Sequence, residues 1–349
     1  MTHQTHTSTF INPMLGLILG LGSAGGCYTA ADTIGQAQLA EVCPPDHCGG
    51  NASTFNDLPF GELHLLPGKN TGLANQRELY ISDFIAPDGA TDVVLNARQG
   101  RYTAANASET LTGSDLIGAT LIISSNASTE VIEVEITDYR NELSWTENAF
   151  GIDQYMLKKK VDTDGDGVAD AYEPVCSAAM DLGDQAAWTV VVSKERYSFR
   201  DIEVTASGHL AAGWFNIACV GHALAKVKLI GYDPSPPPNS PYVTTPNQRQ
   251  AALKMLAGDY CGTGTVHTKD GTALYWQNPA GWSHNNPPED RQREALWSPD
   301  GALCLDVPRL GPGYLDKIHA KCATVGKTMV PCSDNSKHYG WETSLPVSE

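Results

Sequence analysis

Positive charge is scarce in this chain. Its 349 residues hold 23 Lys and Arg against 40 Asp and Glu, a net charge of −17. Such a chain repels phosphate backbones and anionic headgroups, which argues against nucleic acid as a partner and against simple adhesion to anionic membranes. Charged residues of both signs make up only 18 %. Gly, Pro, Thr, Ser and Asn fill the deficit, a mix that favours strands and turns over long helices. Catalytic signatures are missing as well: there is no Gly-x-Ser-x-Gly, no His-Glu-x-x-His and no phosphate loop. The apolar run from Ile11 to Gly22 is too short to span a bilayer.

That run reads instead as the core of an export signal covering residues 1–26. Ser23-Ala-Gly-Gly26 supplies small residues just before Cys27, and Ala24 to Cys27 resembles a bacterial lipoprotein signal, in which the Cys is lipidated and becomes the new N-terminus. The segment before the apolar run departs from that pattern, with His3 and His6 but no Lys or Arg. With Cys27 set aside, eight cysteines remain: Cys43, Cys48, Cys176, Cys219, Cys261, Cys304, Cys322 and Cys332. An even, well-spread set beside an export signal reads as disulfides. The expected bridges are Cys43–Cys48, Cys176–Cys219, Cys261–Cys304 and Cys322–Cys332. Zinc competes weakly: Cys43-Pro-Pro-Asp-His-Cys48 offers Cys, His and Cys, but no second ligand pair follows at finger spacing. Three Asn-Ala-Ser sequons, at Asn51, Asn106 and Asn126, are chance matches in a bacterial lipoprotein.

One stretch specifies a chemistry. From Asp162 to Glu173 the chain reads Asp-Thr-Asp-Gly-Asp-Gly-Val-Ala-Asp-Ala-Tyr-Glu. Asp162, Asp164, Asp166, Asp170 and Glu173 occupy the carboxylate positions of a twelve-residue calcium loop, Gly167 sits at its sharp turn, and Val168 offers a backbone carbonyl. Five carboxylates this close repel one another unless a cation neutralises them. Pro174 and Cys176 follow at once, so no exiting helix is expected, and the loop looks like the Asp-rich loops of secreted proteins such as thrombospondin type 3. The expectation is a structural calcium ion stapling a strand-to-strand connection.

Strands are predicted at Glu62–Leu66, Glu78–Ser82, Ala119–Ser124, Val131–Thr137, Trp188–Val192 and Tyr197–Val204. In Val131–Thr137 the apolar Ile132, Val134 and Ile136 alternate with Glu133 and Glu135, as a half-buried strand requires. A helical stripe runs from Val220 to Ile230, ended by Gly231. The run Asp233-Pro-Ser-Pro-Pro-Pro-Asn-Ser-Pro241 is a stiff extended segment, either an interdomain linker or a strap on one continuous domain. Thr245, Pro246 and Gln248 then open a short helix with a capping box. The predicted architecture is mainly β with minor α. After a tether over 27–57 comes an antiparallel, sandwich-like domain over 58–232, then a Pro-rich segment over 233–246 and a small disulfide-stapled module over 247–349.

Gly258-Asp-Tyr-Cys261, continuing as Gly262-Thr-Gly-Thr-Val-His-Thr-Lys-Asp-Gly-Thr272, resembles the ADYC-domain proteins, a group found mainly in myxobacteria and often exported or lipid-anchored. Cys48 to Asn51 with Phe60 to His64, Leu111 to Ala119, Phe215 to Tyr232, and Trp297 to Cys304 look like the same group. The chain departs from it at Gly258, where the group has Ala, and at Val227 and Ala252, where the group tends to carry Cys, so a bridge between those two positions is missing. The resemblance implies a compartment and an architecture, and it brings no activity.

Two further sites follow from the residues themselves. Cys261 with His267 and Asp270 or Asp300 offers nucleophile, base and orienter, the parts of a cysteine hydrolase. Tyr275, Trp276, Trp282 and Trp297 could form a glycan platform. The reading that unites these features is an exported, lipid-anchored envelope protein with structural calcium, held to the membrane by its N-terminus and binding a cell-surface glycan or protein. A secreted hydrolase and a calcium-dependent glycan-binding adhesin are the alternatives.

Overall fold

A computed structural model gives the fold and describes residues 52–164, 169–176, 187–238, 240–269, 272, 274–285, 290–332 and 340–347. The signal, Cys27, Cys43, Cys48, Asp166, Val168 and Asp270 lie outside the described residues. In chain order the strands are β1 (Glu62–His64), β2 (Leu79–Ile85), β3 (Val94–Arg98), β4 (Arg101–Ala105), β5 (Thr110–Thr112), β6 (Thr120–Ser125), β7 (Val131–Leu143), β8 (Gly151–Val161), β9 (Ala171–Pro174), β10 (Trp188–Ser193), β11 (Glu195–Ser198), β12 (Glu203–Ser207) and β13 (Trp214–Cys219). Helices α1 (Ala223–Leu229) and α2 (Pro246–Ala257) follow. The chain then adds β14 (Tyr275–Gln277), β15 (Arg291–Ser298), β16 (Gly301–Leu305), α3 (Leu315–Ala323) and β17 (Trp341–Pro346). Among the described residues no helix is long and apolar enough to cross a membrane.

The fold is mainly β, and its strand pairings are antiparallel. Eight strands form one sheet in the order β1-β13-β10-β8-β7-β6-β2, with β9 added to the far half of β8. Its two ends, β1 and β2, touch, so the sheet curls almost into a barrel. The alternation in β7 is used as expected: Ile132, Val134 and Ile136 point into the curl beside Phe84, Leu121, Tyr155 and Phe215. The β3-β4-β5 sheet adds Leu95, Tyr102 and Ala104 to that core. The stretch predicted as one strand over Tyr197–Val204 is a hairpin of β11 and β12, broken where Ile202 adopts φ 52°.

Strands β10 and β13 are buried on both faces, which is why they lack polar alternation. Val191, Phe215 and Ile217 face the curl, whereas Val190, Val192 and Ala218 face a second core. That core holds α1, α2 and the β14-β17-β15-β16 sheet, with Trp276, Trp297 and Trp341 at its centre. It draws residues from both sides of the Pro-rich segment, which itself buries Asp233, Ser235 and Tyr242. The segment is tied down by Lys228, whose ammonium meets the Asp233 carboxylate at 3.0 Å and donates to the carbonyls of Val191 and Gly100.

Helix α2 begins with the capping box its sequence predicts and ends at Gly258 in the left-handed conformation. Its polar side is not a solvent face. Arg249 pairs with Glu195, Gln250 bonds the backbone of Ile202 and Val204, and Lys254 reaches Asp201, so the β11-β12 hairpin covers it.

Among the described residues three disulfides are formed. Cys176–Cys219 ties the exit of β9 to the end of β13. The C-terminal bridges are Cys261–Cys322 and Cys304–Cys332, correcting the expected Cys261–Cys304 and Cys322–Cys332. The local pairing fails because α3 carries Cys322 back against the turn after α2, while Cys304 on β16 faces the segment that ends at Cys332.

Candidate functional site

The acidic stretch is the loop of a β-hairpin. β8 and β9 pair with Val161 opposite Ala171, and the Asp170 amide donates to the Val161 carbonyl at 2.9 Å. Strands therefore flank the loop on both sides, and no helix enters or leaves it. The turn brings Asp162, Asp164 and Asp170 together, with one carboxylate oxygen from each within 4.8 Å of the others. The Asp170 carboxylate accepts from the Thr163 hydroxyl and, at 2.8 Å, from the Thr163 amide. Those two bonds hold its carboxyl below the usual range and so keep it ionised. Glu173 lies further along β9, exposed and opposite Lys159, and is not one of the three. An exposed set of carboxylate oxygens fits a hard cation such as calcium. Asp162, Asp164 and Asp170 would hold it, and the ion would supply charge neutralisation that fixes the loop.

The thiol site does not assemble. Cys261 is in a disulfide with Cys322, so His267 has no thiol to activate. His267 is half-buried, its Nε2 has no hydrogen-bond partner among the described residues, and burial pushes its pKa down against the pull of Asp259. Asp300 is exposed at the turn between β15 and β16. The aromatic platform dissolves in the same way. Trp276 and Trp297 are core rings, and Trp282 stacks between Tyr242 and Tyr232 at centroid distances of 4.1 and 5.0 Å. Tyr275 stands at the edge of the C-terminal sheet, paired with Ser344.

Each residue of Asp259-Tyr260-Cys261 closes a separate structural tie. The Asp259 carboxylate accepts from the amides of Thr263 and Gly264 and from the Lys254 ammonium, at 2.9, 2.7 and 2.8 Å. Lys254 and Asp259 are both fully buried. The Tyr260 hydroxyl donates to Glu294 and accepts the Arg309 amide at 3.1 Å, while Arg309 grips Glu294 through two nitrogens at 2.6 and 2.9 Å. Burial and the Glu294 charge push the Tyr260 phenol far up. Burial opposes the Arg309 charge, but Glu294 and Tyr260 outweigh it and keep the guanidinium protonated. Cys261 supplies the disulfide. Lys254, Glu294 and Arg309 had no motif to announce them. The available signal was a lone charge inside an apolar run, as in Ala252-Leu-Lys-Met-Leu256.

With the geometry in place, the class is that of a disulfide-stapled, antiparallel β protein built around a buried Asp-Tyr-Cys knot. The chain belongs to the ADYC domain family, whose model matches residues 113–311, more than half of its length. The matched region contains the acidic hairpin, the Pro-rich segment and the knot. No curated protein and no solved structure matches the chain.

Proposed function

We propose that this is an exported, lipid-anchored protein of the bacterial cell envelope that acts by binding rather than by catalysis, with a calcium ion stapling the β8-β9 hairpin. The observation that carries the reading is the set of three buried disulfides. Such bonds form and persist in oxidising compartments, and one of them occupies Cys261, the nucleophile of the hydrolase reading. The small residues before Cys27 supply the anchor in this reading, and the clustered Asp162, Asp164 and Asp170 supply the ion site. Calcium titration by calorimetry, with melting followed in parallel, tests the ion. The parent is expected to bind one calcium and melt higher in its presence, and an Asp162→Asn, Asp164→Asn double variant to do neither. A folded parent with no binding heat and no shift in melting overturns it. Fractionation of cells carrying the parent or Cys27→Ser tests the anchor: the parent should sediment with membranes and the variant should not.

A second reading, calcium-dependent binding of a surface glycan, is favoured by an open cleft of about 610 Å³ beside the hairpin. Asp162 and the exposed Tyr172 and Val131 line it. That reading requires chelator to abolish glycan binding.

A further inference from the structure

A second cleft, of about 220 Å³, lies between the end of β1, the tip of the β3-β4 hairpin and the start of β13. Its walls are held by side-chain contacts. His64 forms one wall, and its Nδ1 accepts the Leu73 amide at 3.2 Å. The ring proton is thereby left on Nε2. Trp214 stands edge-on to His64 at 5.0 Å, and its other contact is the Arg196 guanidinium, 3.6 Å from the ring centroid. Arg196 is itself held by two bonds to the buried Glu62. At Gly213, φ is 81° and a Cβ would meet the Leu65 carbonyl at 2.6 Å and His64 Nε2 at 2.8 Å, so only glycine fits at this wall.

The rim is cationic. Arg98 and Lys194 line the cleft, no carboxylate does, and among the described residues neither cation has a carboxylate partner. In a chain of net charge −17 this is a local reversal of sign. Lys194 also stands where the backbone favours another residue. Its φ is 63°, a left-handed angle fixed by its amide donating to the Trp214 carbonyl and its carbonyl accepting from Gly208. Glycine or asparagine meets that angle at lower cost. A lysine there places an ammonium at the cleft. Arg98 is set by the tight turn that follows it, where Gln99 and Gly100 both have positive φ.

We propose that this cleft binds a small organic anion, a carboxylate- or phosphate-bearing molecule of about monosaccharide size. Its volume lies below the roughly 300–1,000 Å³ of pockets for larger ligands, and the two cations that line it select the charge. The site stands apart from the acidic hairpin, so calcium binding and anchoring can each fail without touching it.

Calorimetry on the purified full chain in calcium-free buffer tests the site, using glucuronate, glucose 6-phosphate and inorganic phosphate as probes, with glucose as the neutral control. Two variants accompany the parent. Lys194→Gly removes the ammonium at an angle glycine adopts freely, and Arg98→Gln changes an exposed residue, so both are expected to fold. The expected result is one-site binding of at least one anion, no binding of glucose, and affinity lower by about ten-fold or more in each variant without loss of melting temperature. Preference for glucuronate would mark a uronic-acid ligand, and preference for either phosphate a phosphorylated one. No binding of any anion up to roughly 10 mM, or an affinity unchanged in either variant, overturns the proposal.

Discussion

Glu294 and Arg309 are charged and fully buried, and each is tolerable only because the other is there. Replacing such a pair with apolar side chains is often close to neutral, but breaking it leaves a bare charge in the interior. Arg309→Met is therefore expected to cost about 3–5 kcal/mol in urea unfolding. The Glu294→Leu, Arg309→Met double variant should recover most of that loss, and a double variant as unstable as the single would count against the pairing. The imidazoles carry a pH effect. Burial and the nearby Arg196 push His64 below its ordinary value of 6.5, and burial does the same to His267. Folding thus favours the neutral form of both rings. Their contribution to stability is complete above pH 6.5 and is lost as pH falls through the lower folded-state values. The urea midpoint should be level above neutrality and fall once pH drops below 6.5, with a shallower fall in His64→Asn.

At the scale of elements, α2 shows how local and tertiary demands meet. Thr245 and Gln248 close its first turn reciprocally, and Gly258 closes its last at φ 64°. That left-handed turn leads directly into Asp259, whose carboxylate accepts the amides of Thr263 and Gly264. A Cβ on Gly258 would sit 3.0 Å from the His267 carbonyl oxygen. Gly258→Ala, toward the alanine that the family's name carries, is expected to lower stability by about 1–2 kcal/mol. Thermal unfolding monitored by circular dichroism measures it, and an alanine variant as stable as the parent would mean that the turn relaxes. The β8-β9 hairpin makes the contrasting case. Its strands pair through backbone bonds before any ion is considered, so calcium is expected to fix the loop between them and leave the strands unchanged.

At the scale of the whole molecule, one continuous core passes beneath the Pro-rich segment, and Lys228 pins that segment to two separate sheets. The disulfides close long loops on the same body. Cys261 and Cys322 are 61 residues apart, for which loss of the bridge should cost about 4 kcal/mol on the loop-entropy estimate. Peptide mapping under non-reducing conditions is expected to recover Cys261 joined to Cys322 and Cys304 joined to Cys332. Recovery of Cys261 joined to Cys304 would refute this arrangement, and with it the position of α3.

Local chemistry made part of this protein legible from its residues alone. Alternation in Val131–Thr137 specified a half-buried strand, and Thr245 to Gln248 specified a helix start. Each rests on neighbours within a few positions. The mainly-β class and the family motif followed from the same short-range patterns. Long-range packing decided the rest. Which cysteines meet depends on where α3 docks. Whether Trp276 and Trp297 face solvent depends on which sheet covers them. Whether Lys254, Glu294 and Arg309 carry buried charges depends on partners up to 53 residues away. The cleft between His64 and Trp214 joins positions that are 150 residues apart in sequence and opposite one another in a single strand pairing. No local pattern encodes such a meeting, because it is fixed only when the sheet closes and the backbone bonds of β1 find β13.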